Sequence, residues 1–277
     1  MSNNMAKSLF FAAAGGTLAA AASAYILAPG KAEGSMRAPF YGRNLAHRGL
    51  HTADKSIPEN SLPAFEEAAR IGYGIELDVR ITKDGELVVF HDEDLTRACA
   101  ATGCVGDTTW EDLSRLRLFG TEHGIPLLSE ALEVIGGRGP LIVELKQGNK
   151  NRELCEKTYS LLKGYAGDFC VESFDPRIVG WFRRNAPEVL RGQLAYHPAD
   201  MAKDTRRANA FLVGNLLTNF IARPHFIAYG IGCKPLTVRL CERLGAMRVA
   251  WTSRGPDSEE NNDAVIFEHY RPRPRYK

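Results

Sequence analysis

Four short strings in the first half of the chain join ionisable side chains to apolar, largely β-branched runs: Ala46-His47-Arg48-Gly49, Gly74-Ile75-Glu76-Leu77-Asp78-Val79, Val88-Val89-Phe90-His91-Asp92 and Leu141-Ile142-Val143-Glu144-Leu145-Lys146. A lone charge is expensive to bury, so charges at strand ends face a polar pocket or a metal. Glu76 and Asp78 are two residues apart and therefore share one side of a strand. Two such carboxylates repel unless positive charge lies between them. A hard divalent cation, Mg²⁺ or Ca²⁺, meets that need with oxygen ligands, and Glu144 offers a third oxygen. Lys146 shares a face with Glu144, and Arg48 adds a second cation. A metal with Arg and Lys is equipment for holding a phosphate. His47 and His91 remain, and imidazole moves protons near neutral pH. The chemistry implied is metal-assisted phosphoryl transfer with two acid/base histidines. The order in which they act stays open.

Elements that position these groups can be read along the chain. Strands are expected at 45–49, 75–79, 87–91, 141–146, 169–174, 192–196, 225–229, 248–252 and 264–267, with helical patterns between most of them. The first helix has Asn60 or Ser61 as cap, Pro63 early, and Gly72 at its end. Alternation of this kind implies parallel strands joined by helical crossovers. Nine candidate strands are one more than a (β/α)₈ TIM-type barrel needs, so one should form a local hairpin or edge. Residues 92–126 carry no strand and form a small insertion after the second or third strand. The apolar stretch 208–222 reads as a barrel helix, or as a surface that touches lipid or gates the pocket.

These strings, with three others, resemble the glycerophosphodiester phosphodiesterases. His47-Arg48-Gly49 resembles that family's opening motif, Pro58-Glu59-Asn60-Ser61 its P-E-N-[ST] element, and Glu76-Leu77-Asp78-Val79 its metal strand. His91-Asp92 resembles the second histidine, Glu144-Leu145-Lys146 the late E-x-K strand, and Glu172-Ser173-Phe174-Asp175 and Ala250-Trp251-Thr252 two later segments. A departure is the stretch Cys99–Cys104 after the second histidine. The resemblance implies hydrolysis of glycerophosphodiesters to glycerol 3-phosphate and an alcohol. It implies one Mg²⁺ or Ca²⁺ on Glu76, Asp78 and Glu144, and His47 and His91 as catalytic groups. Arg48 and Lys146 would bind phosphate, Glu59 would stand in or behind the substrate site, and Phe174 and Trp251 would wall the glycerol pocket. A lysophospholipid-cleaving phosphodiesterase is the alternative, and an inactive membrane-tethered binding module a third possibility.

Composition sets the bounds. A chain of 277 residues with 44% apolar content suits one α/β domain, since such barrels run to ~250 residues. A net charge of +2 gives no argument for nucleic acid, and nothing speaks to oligomeric state. The basic tail 271–277 reads as a disordered end, with attraction to anionic lipid a lesser alternative. The cysteines, six in number, include no CxxC pair, which argues against a zinc site. Cys99 and Cys104 are spaced to close a small disulfide loop if the domain is exported. Residues 8–28 carry no charge, and 21 residues can cross ~30 Å of hydrocarbon as an N-terminal hydrophobic helix. A cleavable signal peptide ending near Ala22-Ser23-Ala24 competes with an uncleaved anchor. Residues 29–40 read as a linker, and the division expected is therefore 1–35 as anchor or signal segment with linker, and 36–277 as the barrel. The membrane side is undetermined. His51, His123, His197 and His269 have no partner that the sequence identifies.

Overall fold

The computed structural model describes residues 21–277, in which nine strands form one sheet. They are β1 (Arg43–Ala46), β2 (Gly74–Ile81), β3 (Leu87–Val89), β4 (Leu141–Leu145), β5 (Phe169–Ser173), β6 (Leu190–Ala195), β7 (Phe226–Gly230), β8 (Met247–Ser253) and β9 (Ala264–Phe267). Eight run parallel in the order β1-β2-β4-β5-β6-β7-β8-β9, and β1 pairs with both β2 and β9, so the sheet closes into a barrel. The ninth is β3, which turns back antiparallel on β2 through Lys83-Asp84-Gly85 and is the expected local hairpin. The main crossover helices are α1 (Leu62–Ile71), α2 (Leu128–Ile135), α3 (Asn151–Leu162), α4 (Pro176–Asn185), α5 (Arg207–Gly214) and α6 (Leu236–Arg243).

Strand alternation sorts side chains into two layers. Ile75, Leu77 and Val79 of β2, Leu141, Val143 and Leu145 of β4, and Val171 of β5 face outward into the apolar layer beneath α1, α2, α3 and α4. Residues of the opposite parity face the barrel axis. At the N-terminal end of the strands that axis is apolar, filled by Leu45, Ile142, Cys170, Leu190, Phe226 and Met247. Gly192 is required there, because a Cβ at that position would lie 2.0 Å from the Phe226 ring. The next inward positions on β2, β4 and β5 are carboxylates, whereas Leu194, Ala228, Val249 and Ile266 continue the apolar lining on the other side. The charges of the first half of the chain are thus confined to one side of the barrel mouth.

Residues 92–127 pack a small apolar cluster, Leu95, Ala98, Val105, Leu113, Leu118 and Ile125, on Val88 and Phe90, so the insertion is a folded excursion. Three expectations differ from what is observed. The segment read as a linker is packed: Phe40 is buried with Leu45 and Phe226 inside the barrel, and Met36 and Ala32 pack against the same cluster. Leu27 is also buried, beside Met201 and Val238, and Arg223 donates to the Ala28 carbonyl at 2.8 Å. The basic tail is docked rather than disordered: the Asn44 N–H donates to the Pro274 carbonyl, the Tyr276 N–H to Gly42, and the Tyr73 hydroxyl to Pro272. The stretch 208–222 is not one helix. It breaks after α5, with Leu216 buried at a positive φ, before a second turn at Asn219–Ala222. Cys99 and Cys104 are free thiols. Most of the proposed anchor, residues 8–20, lies outside the described residues. No described helix is long and apolar enough to cross a membrane.

Candidate active site

The chain reverses sharply after β1. Arg48 and Gly49 both take positive φ (55° and 78°), and a Cβ on Gly49 would fall 2.9 Å from the Ala64 backbone, so only glycine fits under α1. This turn lets the Arg48 N–H donate to Glu76 Oε2 at 3.0 Å, while the Arg48 carbonyl accepts from the Asn60 N–H. Asn60 is not a helix cap. Ser61 holds that position, and the Asn60 amide donates to Asp78 Oδ2 at 2.7 Å.

Glu76, Asp78 and Glu144 are all buried and each offers an oxygen within 4.8 Å of the others. Lys146 Nζ lies 2.8 Å from Asp78 Oδ1 and 2.6 Å from Glu144 Oε1, and Arg48 Nε lies 3.3 Å from Asp78 Oδ2. Burial alone would raise the Asp78 carboxyl, but Lys146, His91 and Arg48 hold it well below the usual range. At Glu76 the balance reverses: burial, with Asp78 and Glu144 alongside, outweighs the pull of Arg48 and Lys146 and pushes it well up. Burial and Asp78 also raise Glu144, against the pull of Lys146. A compact, buried all-oxygen set whose members repel one another fits a hard divalent cation. Deleting positive charge from it would be costly.

Each histidine is paired with a carboxylate. His91 Nδ1 lies 2.7 Å from Asp92 Oδ1, and Arg80 donates to the His91 carbonyl at 2.8 and 3.0 Å. His47 Nδ1 lies 3.4 Å from Glu268 Oε1. In both cases Nε2 is the nitrogen left for a reacting group. Burial lowers the His47 imidazole to about 4, with Glu268 opposing and Arg48 assisting, so His47 is neutral at neutral pH. Glu268 itself would be raised by burial, but its contacts with His47 and His51 hold it far below the ordinary carboxylate range.

A cavity of 410 Å³ unites these groups. His47, Arg48, His91, Glu76, Glu144 and Lys146 line it, together with Phe174 and Trp251. Phe174, Tyr196 and Trp251 meet edge to face, with ring centroids 5.6–5.8 Å apart, and form an aromatic wall opposite the charges. Asp78 sits just beneath the lining. Glu59 stands behind Arg48 rather than on the cavity, its oxygens taken by Arg48 at 2.6 Å, Lys55 at 2.8 Å and Arg97 at 2.8 Å. Three contributors have no expected role in the sequence. Arg97 comes from the insertion and links Glu59 to Asp92. Glu172 ends β5, and Glu268 follows β9. The strand-end rule that selected Glu144 also fits Glu172 and Glu268, so that signal was present for both. A second cavity of 520 Å³ adjoins the first, shares Glu144, Lys146, Phe174, Tyr196 and Asp204 with it, and continues past Met201, Leu212, Val213 and Ile221.

A family model described as "Glycerophosphoryl diester phosphodiesterase family" matches residues 47–268. A glycerophosphodiester phosphodiesterase from Caldanaerobacter subterraneus is 43% identical over 112 residues, 38% of this chain and 45% of that one. One from Bacillus altitudinis is 43% identical over 111 residues, 38% of this chain and 44% of that one. The chain thus aligns with less than half the length of these curated relatives. Among solved structures, an Oleispira antarctica phosphodiesterase in complex with the product sn-glycerol-3-phosphate superposes with a TM-score of 0.66, covering 83% of this chain and 94% of that one at 22% identity.

Proposed function

The chain belongs to the glycerophosphoryl diester phosphodiesterase family, and from that premise we propose that it hydrolyses glycerophosphodiesters to glycerol 3-phosphate and an alcohol. The observation that carries this is one cavity with three clustered carboxylates, two carboxylate-held histidines and an aromatic wall. The fold-level likeness to a phosphodiesterase seen with sn-glycerol-3-phosphate supports the same product.

Glu76, Asp78 and Glu144 would hold a divalent cation, Mg²⁺ or Ca²⁺, which when bound supplies positive charge for a phosphate oxygen. Arg48 and Lys146, released from the carboxylates they cover, would carry the remaining oxygens. His47, neutral and with Nδ1 held by Glu268, takes the proton of the nucleophile at Nε2. That nucleophile is water, or the neighbouring glycerol hydroxyl, in which case the cyclic phosphate that forms is opened by water in a second step to give glycerol 3-phosphate. His91, fixed by Asp92, gives a proton to the leaving alkoxide. Each transfer contributes ~10²–10⁴-fold. Phe174, Tyr196 and Trp251 exclude water from one side and pack on the glycerol carbons.

A second reading, cleavage of a lysophospholipid, is favoured by the adjoining 520 Å³ cavity with its apolar floor of Met201, Leu212, Val213 and Ile221. Phe211 (57% exposed) and Phe220 (45%) lie on the same segment, and residues 8–28 are proposed to tether it to a membrane. Turnover of glycerophosphocholine and lysophosphatidylcholine, each measured with Mg²⁺, with Ca²⁺ and with a chelator, tests both readings. Activity on the first and silence in chelator are expected. Full activity in excess chelator would remove the metal from the proposal, and preference for the lysolipid would install the second reading.

A further inference from the structure

Three histidines converge on one carboxylate. Glu268 has Oε1 3.4 Å from His47 Nδ1 and 3.2 Å from His51 Nε2, and Oε2 3.2 Å from His269 Nε2. The proposed reaction uses only the first contact. The His51 side chain is 2% exposed, and neither of its ring nitrogens has a hydrogen-bond partner. Its Nε2 is close to Glu268, but the oxygen lies off the line an N–H would need. A buried polar group left this way is destabilising, which a ligand on that nitrogen would relieve. The His51 and His269 rings stand edge to face, planes 87° apart and centroids 5.5 Å apart, and reach Glu268 from different directions.

One donor atom from each of His51, Glu268 and His269 lies within 4.8 Å of the other two. Two imidazole nitrogens with one carboxylate oxygen form a donor set suited to Zn²⁺. Ligands ~2.0–2.1 Å from a tetrahedral ion stand about 3.3 Å from each other, and each imidazole has one Glu268 oxygen near that spacing, His51 Nε2 with Oε1 and His269 Nε2 with Oε2, both at 3.2 Å. We propose that His51, Glu268 and His269 form a second metal site, for Zn²⁺ or a similar borderline ion, behind His47 and distinct from the carboxylate cluster, and that filling it inhibits the enzyme. Ligand type separates the two sites: three carboxylates select hard cations, whereas imidazole favours Zn²⁺, Ni²⁺ and Cu²⁺. Inhibition follows from the shared carboxylate. Glu268 committed to a metal stops holding His47 Nδ1, and this half of the proposal rests on His47 as proton acceptor. Arg254 also approaches Glu268, at 3.5 Å, but its side chain is 73% exposed and can turn to water.

The experiment uses the full chain in saturating Ca²⁺, titrated with Zn²⁺ in a calorimeter and, separately, with Co²⁺ followed by absorption. One Zn²⁺ equivalent that Ca²⁺ does not displace is expected, with the intense visible bands of tetrahedral Co²⁺. His269 has a φ of 64°, so His269→Asn is the substitution that keeps the backbone comfortable. It should weaken Zn²⁺ binding at least tenfold, keep basal turnover, and resist Zn²⁺ inhibition. His51→Gln should also weaken binding at least tenfold, and Glu76→Gln should leave Zn²⁺ binding in place. Unchanged Zn²⁺ affinity in both histidine variants, or displacement of Zn²⁺ by Ca²⁺, would overturn the site. Zn²⁺ binding that both histidine variants lose, without any effect on wild-type turnover, would overturn the inhibitory link and with it the role given to His47.

Discussion

Glu144 and Glu172 are lateral partners across β4 and β5, yet only Glu144 meets a cation, Lys146 Nζ at 2.6 Å. Glu172 Oε2 is buried without a partner. Burial, reinforced by Glu76 and Glu144, therefore holds the Glu172 carboxyl well above its ordinary range. A carboxyl raised in the folded state binds more protons there than in the unfolded chain. The stability it contributes is complete at acid pH and is lost as pH rises through the folded value. Glu172→Gln keeps the shape and cannot ionise. In chelator, the Tm of the wild type should fall more steeply than that of the variant between about pH 5 and pH 9. Parallel Tm curves would show that Glu172 is not a buried, uncompensated acid.

The histidines should behave as a unit. His47→Ala and His91→Ala are each expected to fold normally and to lose ~10²–10⁴-fold in kcat. The double variant should lose far less than the product of the two, because the second loss matters little once the proton relay is broken. Asp92→Asn, which weakens the hold on His91 Nδ1 and the Arg97 ion pair but leaves the imidazole in place, should fall between wild type and His91→Ala. Near wild-type turnover in either single histidine variant would remove that residue from the mechanism.

Arg48 spans two carboxylates, with Nη1 at 2.6 Å from Glu59 and Nε at 3.3 Å from Asp78. A lysine keeps the charge but presents a single point and no planar fork. Arg48→Lys should keep the fold and lower kcat/KM by ~10–100-fold, about 1.4–2.8 kcal/mol. Steady-state kinetics beside a thermal melt make the check, and unchanged kcat/KM would show that charge alone suffices at this position.

The N-terminal segment is expected to divide at about residue 20. Leu27 is buried against Met201 and Val238, and Phe40 closes the apolar end of the barrel. Deleting residues 1–20 should leave Tm and turnover of a water-soluble glycerophosphodiester nearly unchanged. Deleting residues 1–35 also removes Leu27 and should cost roughly 2–3 kcal/mol of stability. If the segment tethers the enzyme, the shorter deletion should lower vesicle association in a flotation assay. Equal flotation of both forms would count against the tether, and equal Tm after the longer deletion would count against the packing of Leu27.

What the sequence determined by itself was the chemistry that depends on neighbours along the chain. Glu76 with Asp78, and Glu144 with Lys146, share a face because strand side chains alternate with period two, and apolar flanks show that the face is inward. His47, Arg48 and His91 follow from the same strand-end logic. The nine strands were legible from turn residues and apolar runs, and with them the barrel. Tertiary structure decided the partners. Glu268 lies 221 residues from His47, and only closure of β9 on β1 brings them together. The same closure brings His51 to the adjacent Glu268 and His269, a meeting that no pattern along the chain foretells. Glu59 was expected in or behind the substrate site, and it is the contacts with Arg48, Lys55 and Arg97 that set it behind Arg48. The docked tail and the packed segment 27–40 were equally invisible. Their polar, Pro-rich or short stretches have no periodicity, and they are ordered by surfaces that exist only once the barrel has closed.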